Sequence, residues 1–400
     1  MSVGWLHIIG MGADGIASLM PASRAALESA EIIVASERLH GLTGALDVER
    51  LTWPSPFDMM VDQILALRGR RVAVLVTGDP LWFSVGARLG REIDAAEIVY
   101  HPQLSAFQLA AARLGWSLAD VETITAHGRP PEQILPFVAP SARMLVFTAG
   151  PETPGQVAQL LTARGYGESR MVVFSDLGAE IESRAEGRAA TWAAEVGALN
   201  TLAVECIAAP EAQILARVPG LPDEVFTHDG KMTKSETRAV TLAKLMPQRG
   251  ALLWDIGCGA GSVAIEWMRA APDARAIGIE PRADRRAMAA ANALSLGVPK
   301  LELVEGNAPE ALEGLPLPDA IFIGGGVTPR VFEAAWEALS PHGRLVANAV
   351  TLESDAVLNA MHRQFGGSLT RISISRAKPV GPYHGWHSLM PVTQLSFIKR

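Results

Sequence analysis

This 400-residue chain has no excess of positive charge: 35 Lys and Arg stand against 42 Asp and Glu, a formal net charge of -7. Nucleic-acid binders normally carry a basic surplus, so that partner class is set aside. Cysteine is scarce. Cys206 and Cys258 lie far apart, make no metal-ligand spacing and support no disulfide framework, so no metal is expected. No apolar run approaches the roughly 20 residues that span a bilayer. The opening "MSVGWLHIIGMG" lacks the basic region and cleavage site of a secretory signal. The expectation is a cytoplasmic protein with no membrane partner. What is present is an ordinary globular balance, 49% hydrophobic and 19% charged. The length exceeds a single core and implies two or three domains.

Strand-like apolar runs alternate with amphipathic segments throughout. In the first half "WLHIIG" (5–10), "EIIVAS" (31–36) and "RVAVLVTG" (71–78) are separated by helical patterns at 21–30 and 57–69. The alternation resumes at "RMLVFTAG" (143–150) and "RMVVFSD" (170–176) and closes at "TLAVECIA" (201–208). Strand–helix–strand order implies parallel sheets with crossover helices. Residues 209–230, with three prolines and weak periodicity, read as a linker or entry arm. A second alternation then begins with "ALLWDIG". It ends in two strand-like runs, 369–377 and 393–400. The predicted division is 1–208 (subdomains of about 1–115 and 120–208), a linker at 209–230, and 231–400.

"WDIGCGAGSV" (254–263) is the sharpest motif in the second half. Its spacing is D-x-G-x-G-x-G, from Asp255 through Gly257 and Gly259 to Gly261, with Ser262 opening a helix. A glycine turn there brings backbone N–H groups close to a ligand. The spacing is tighter than the G-x-G-x-x-G dinucleotide fingerprint and resembles the first motif of class I S-adenosylmethionine (SAM) methyltransferases. Glu280, at the end of the next strand, lies where an acid accepts from ribose hydroxyls. The third strand leads to Asn307 and Ala308, which the resemblance places near the adenine. Thr233, upstream of the loop, joins the same set. Trp254 and Trp267 fall at core positions by periodicity.

The first half opens with "HIIGMGADG", literally G-x-G-x-x-G at Gly10, Gly12 and Gly15, with Glu37 at a Rossmann-like distance. Alone this reads as a dinucleotide site. Three later stretches read differently in order: Gly78–Asp79–Pro80 after the third strand, the turn at Ser105–Ala106, and "AHGRP" with His127 and Arg129. This series resembles the tetrapyrrole methylase family over residues 3 to about 207. The resemblance implies two α/β subdomains with SAM between them, held by Gly78, Asp79, Pro80, Ser105 and Ala106. It places Gly10, Gly12 and Gly15 on the substrate side. His127 and Arg129 either contact the substrate or pin a turn. Asp79 alone also fits a plain turn cap.

"GKMTKSETRAVTLAKLMP" (230–247), "DAIFIGGG" and "VANAVTLES" make the second half resemble the decarboxylating precorrin methyltransferase family of corrin biosynthesis. The implied fold is a tetrapyrrole methylase domain fused to a class I, Rossmann-like SAM methyltransferase. The implied chemistry is methyl transfer from two SAM sites, one per domain. The first half serves C5 of a precorrin-6B macrocycle, and the second serves C15 and releases CO2 from the ring C acetate. Relatives of the second half imply a homo-oligomer, a tetramer through the C-terminal domain. Such chemistry needs alignment more than a nucleophile set.

A polycarboxylate substrate on an acidic protein needs local cations. Lys234 and Arg238 are one helical turn apart and can share a face, either toward the substrate or as a solvated helix start beside Glu236. Asn348 and Thr351 are further substrate-facing candidates. The Gly- and Pro-punctuated stretch 378–392 reads as a loop over the cleft. His384 there is either a proton donor or a surface residue. Arg238, Asn348 and His384 are the catalytic candidates; Lys234 and Thr351 are assigned to substrate. Two other functions fit the same features: methyl transfer to another polyanion without decarboxylation, or a first half that only delivers substrate.

Overall fold

Residues 4–44 and 46–400 are described by the structure, a computed structural model. They fall into two units. The first runs to Pro131 and resumes over Pro140–Ala212; the second holds Glu132–Ala139 and Gln213–Arg400. The 209–230 segment is therefore no free connector. Leu215, Leu221 and Phe226 are buried in a second-unit cluster with Ile265 and Leu296.

The first unit contains two sheets. One is wholly parallel, formed by β1 (Leu6–Met11), β2 (Ile32–Ala35), β3 (Glu49–Thr52), β4 (Val72–Thr77) and β5 (Ile98–His101), in the order β3-β2-β4-β1-β5. The central strands β1 and β4 are near-continuous apolar runs because both faces are covered. Leu6, Ile8, Val72 and Val74 pack on one side, and Ile9, Met11, Ala73 and Leu75 on the other. The second sheet comprises β6 (Glu122–Thr125), β7 (Arg143–Phe147), β8 (Arg170–Ser175), β9 (Ser183–Arg188) and β10 (Asn200–Glu205), in the order β6-β7-β10-β8-β9. Only β6 and β7 pair in parallel, which corrects the expectation of parallel sheets throughout. The reason lies in the connections. The helix Thr153–Ala163 crosses over between β7 and β8, whereas β8 and β9 are joined by residues 176–182 with no helix. Without a crossover helix a returning strand pairs antiparallel.

The second unit is built on a seven-stranded sheet. Its strands are β11 (Leu252–Ile256), β12 (Arg275–Ile279), β13 (Glu302–Val304), β14 (Ala320–Ile323), β15 (Arg344–Ala349), β16 (Ser368–Ile372) and β19 (Val392–Ile398). The order is β13-β12-β11-β14-β15-β19-β16. β11 to β15 are parallel, and β19 enters antiparallel between β15 and β16. The order reverses between β11 and β14, which opens a crevice beyond their carboxyl ends. A separate hairpin of β17 (Ser375–Val380) and β18 (Tyr383–Ser388) follows β16. The run 369–377 is thus two strands, and 378–392 is mostly a strand pair where a loop was expected. Trp254 and Trp267 are core residues, each 1% exposed. No helix among the described residues is long and apolar enough to cross a membrane.

Candidate active sites

A cavity of about 560 Å³ lies in the second unit, bordered by the loop that follows β11. Asp255, Gly257 and Ser262 line it, with Lys231, Thr233 and Lys234 on another side. Gly257 has φ +72°, and a Cβ there would sit 3.1 Å from the Gly325 carbonyl oxygen, so a side chain is disfavoured twice over. Gly261 caps the helix Ser262–Ala270. Asp255 Oδ2 accepts from the Ala264 N–H of that helix at 3.0 Å, while Oδ1 is buried with no partner among the described residues. Burial, reinforced by the nearby Glu280 charge against the Ala264 hydrogen bond, pushes Asp255 up to about 7. The Cys258 thiol is also pushed up, first by burial and then by Asp255 and Glu280, so it is no nucleophile.

Glu280 immediately follows β12 but does not line the cavity. Its Oε2 accepts from Gly259 N–H and its Oε1 from Arg282 N–H, both at 3.1 Å, so it braces the glycine loop. Asn307 is exposed and Ala308 packs against the core; neither lines the cavity.

Asn348 and Thr351 do line it. Asn348 donates to Thr241 Oγ1 and accepts from Gln394 Nε2, each at 3.0 Å, and Gln394 also donates to Thr241. This buried triad fixes the amide of Asn348. Gln394 was not anticipated; it is the antiparallel register partner of Asn348 on β19, a pairing that the linear sequence hides.

Two catalytic expectations are corrected. Arg238 is 0% exposed and does not line the cavity. Its guanidinium donates to Glu266 (2.6 Å), Asp223 (3.3 Å), and the Thr233 and Leu221 carbonyls (2.5 Å each), and lies 4.8 Å from the Phe226 ring centre. With its donors engaged and no exposure, it holds the second unit together and is closed off from the cavity. His384 is exposed on β18 and does not line the cavity. Ile374, Leu389 and Met390, just outside the hairpin, line it instead. Glu236 pairs with neither Lys234 nor Arg238. Arg376 of β17 grips it at 2.6 and 2.9 Å and also reaches Asp223 at 3.0 Å. That pairing holds Glu236 down at about 2.

The first unit has a cavity of about 460 Å³ lined by Gly12, Gly78, Ser105, Ala106 and His127. Ser105 opens the helix Ala106–Leu114 with a capping box: its N–H donates to the Gln108 side chain and its buried hydroxyl faces the Gln108 N–H. Gly10 and Gly15, expected to face substrate, are packing residues. A Cβ on Gly10 would sit 2.1 Å from the Gly78 carbonyl oxygen, and one on Gly15 would sit 2.5 Å from that of Leu42. Asp79 Oδ1 accepts from Leu81 N–H at 2.7 Å and caps its own turn. Asp79, Pro80 and the exposed Arg129 do not line the cavity. Sequence reading missed the aromatic wall, which includes Trp53, Phe57, Trp82 and Phe83. Phe83 has φ +52°, a strained conformation that recurs at functional sites.

Two families match this chain. The family described as Tetrapyrrole (Corrin/Porphyrin) Methylases matches residues 5–193, and that described as Precorrin methyltransferase domain matches residues 224–399. A Sinorhizobium sp protein named Precorrin-6Y C(5,15)-methyltransferase [decarboxylating] is 46% identical over 398 residues, 99% of this chain and 96% of the relative. A Mycobacterium tuberculosis protein of the same name is 38% identical over 399 residues, 98% and 99% of the two chains. A Pyrobaculum calidifontis protein named "Probable cobalt-precorrin-6B C(15)-methyltransferase (decarboxylating)" is 37% identical over 182 residues, 44% of this chain and 93% of that one. The class is thus a two-unit methyltransferase with decarboxylase activity, its units drawn from two methylase families. Within that class, the chain belongs to the family of precorrin-6Y C(5,15)-methyltransferases (decarboxylating).

The Asp255 environment sets a pH dependence. Its folded-state value lies above the ordinary 3.8, so the stability linked to its proton is complete below that value. That stability is lost as pH rises toward about 7. Above this range the buried carboxylate costs roughly 4 kcal/mol. Asp255→Asn removes the cost. Calorimetry of the ligand-free chain is expected to show the second unit melting higher in the variant at pH 8, with the gain shrinking at pH 5. An equal gain at both values would contradict this account.

Proposed function

We propose that the chain methylates precorrin-6B at C5 and C15 and releases CO2 from the ring C acetate, giving precorrin-8X and S-adenosylhomocysteine. The first unit serves C5; the second, a class I Rossmann-like methyltransferase, serves C15 and the decarboxylation. The observation that carries this reading is that each unit has its own cavity, the first lined by Gly78, Ser105 and Ala106, the second by Asp255, whose buried Oδ1 no described residue satisfies. Such an atom calls for a ligand partner. SAM fits both sites and supplies a methyl already activated by its sulfonium. Gly78, Ser105 and Ala106 would hold it in the first unit, and Asp255, Gly257, Ser262 and Thr233 in the second. Glu280 supports that loop through the Gly259 N–H, and Asn307 and Ala308 follow β13, the neighbour of β12 in the sheet.

The remaining work falls to positioning. Lys231 and Lys234 face the second cavity and suit the carboxylates of a polyanionic ring. Asn348, held rigid by Thr241 and Gln394, and Thr351 orient the ring near its reacting carbon. Leu389, Met390 and Val392 make an apolar wall. An acetate held there is poorly solvated, so loss of CO2 relieves an unfavourable charge. In the first cavity Gly12 and His127 border the substrate side. We further propose a cytoplasmic homo-oligomer, a tetramer through the second unit. Support comes from the hairpin, where Tyr383 and Trp386 are 76% and 80% exposed.

Calorimetric titration of the intact chain with S-adenosylhomocysteine is expected to give two sites per chain. A single site, surviving disruption of the first cavity, would reduce the first unit to a substrate-delivery module.

A further inference from the structure

Arg38 stands out in the first cavity. Among the side chains that line it, Arg38 carries the only permanent charge; the rest are apolar, aromatic, hydroxyl or amide groups, with one imidazole. It sits just after β2, in the short helix Glu37–Gly41. Its one hydrogen bond among the described residues runs from Nη2 to the Thr77 hydroxyl at 2.5 Å. It forms no ion pair with a described residue, and Asp176 attracts it only at longer range. Most other arginines of this unit are satisfied: Arg68, Arg70, Arg113 and Arg143 each grip a glutamate. A guanidinium has five donors in a planar fork. Thr77 engages one, and Arg38 is otherwise exposed where it borders the cavity. Thr77 is also the last residue of β4, immediately before Gly78 of the same cavity wall.

We propose that Arg38 is the carboxylate anchor of the first site. It binds one acid side chain of the macrocycle and so sets which ring carbon faces the Gly78–Ser105 side. This rests on the proposed C5 methylation by the first unit. The amino-acid end of SAM also offers a carboxylate, but an adjacent ammonium offsets its charge. The acids on the ring periphery are isolated anions, better matched to a lone guanidinium. The aromatic wall of Trp53, Phe57, Trp82 and Phe83 suits the planar body attached to such an acid.

The test uses the full chain, purified precorrin-6B and S-adenosylhomocysteine. Arg38→Ala is expected to raise the KM for the macrocycle in C5 methylation by about tenfold to hundredfold. C15 methylation and the dissociation constant for S-adenosylhomocysteine stay unchanged. Arg38→Lys, which keeps the charge but loses the fork, falls between. Thr77→Val, which removes the hydrogen bond to the guanidinium, gives a smaller rise of the same kind. Melting of the first unit should not move, because Arg38 is exposed with a single neutral partner. An unchanged KM in both Arg38 variants overturns the proposal. Weakened S-adenosylhomocysteine binding at constant KM also overturns it and assigns the carboxylate to the methyl donor. If the unsubstituted chain makes no C5 product at all, the underlying reading fails first, and that outcome is distinct from either.

Discussion

Arg238→Ala is expected to lower the melting temperature of the second unit by roughly 10 °C, corresponding to about 3–5 kcal/mol. The guanidinium is sealed from water and joins three parts of the chain. Glu266 belongs to the helix that follows the glycine loop, Asp223 and Leu221 to the entry segment, and Thr233 to the cavity wall. Removing it leaves Glu266 buried beside only the Gly220 and Leu221 N–H groups. Burial already lifts Glu266 above the ordinary carboxylate range, against the pull of Arg238, so without the cation its charge becomes harder to keep. Arg238→Lys retains a charge but cannot serve four acceptors in one plane, and should fall between. Calorimetry resolves the second-unit transition. Activity should decline only in step with the folded fraction. Normal melting combined with lost turnover would instead return Arg238 to the chemistry.

The second large effect is expected from one methyl group. Gly10→Ala places a Cβ 2.1 Å from the Gly78 carbonyl oxygen and 2.8 Å from Gln103 Cβ. Its nearest obstacle is backbone, so the end of β1 or the Gly78 turn must move. Gly78, Ser105 and Ala106 share that wall of the first cavity. A displacement of about 1 Å at a reacting centre can cost about a hundredfold in rate. C5 methylation should therefore fall by at least about that factor, while C15 methylation and CO2 release continue. Comparable loss in both reactions would mean that the two chemistries share one site.

Much of this was legible in the residues. β1, β4 and β11 announce themselves because strands buried on both faces must be apolar throughout. The 255–261 loop is legible because its glycines answer to local backbone geometry: Gly257, Gly259 and Gly261 all adopt positive φ. The same logic misleads at Gly10, where glycine is demanded by the neighbouring Gly78 and Gln103, and at Gly15, where a positive φ and the close Leu42 carbonyl demand it without a ligand. The polar strands β3 and β9 lie at sheet edges and carry little hydrophobic signal. β17 and β18 were hidden because glycine and proline read as loop. Arg238 was placed on a functional face by spacing to Lys234. Its real neighbours, Glu266 and Asp223, come from distant positions that periodicity cannot supply. Gln394 and Arg38 likewise acquire meaning only through pairing and enclosure made by the tertiary fold.

The central claim is that two separate cavities in one chain each transfer a methyl group to one macrocycle. The most direct test is product NMR after turnover of precorrin-6B with 13C-methyl SAM, with CO2 measured alongside. The account predicts two labelled methyls, at C5 and C15, for each CO2 released by the unsubstituted chain, and label at C15 alone from Gly10→Ala. A single labelled position in the unsubstituted chain, or loss of both labels in the variant, would contradict it.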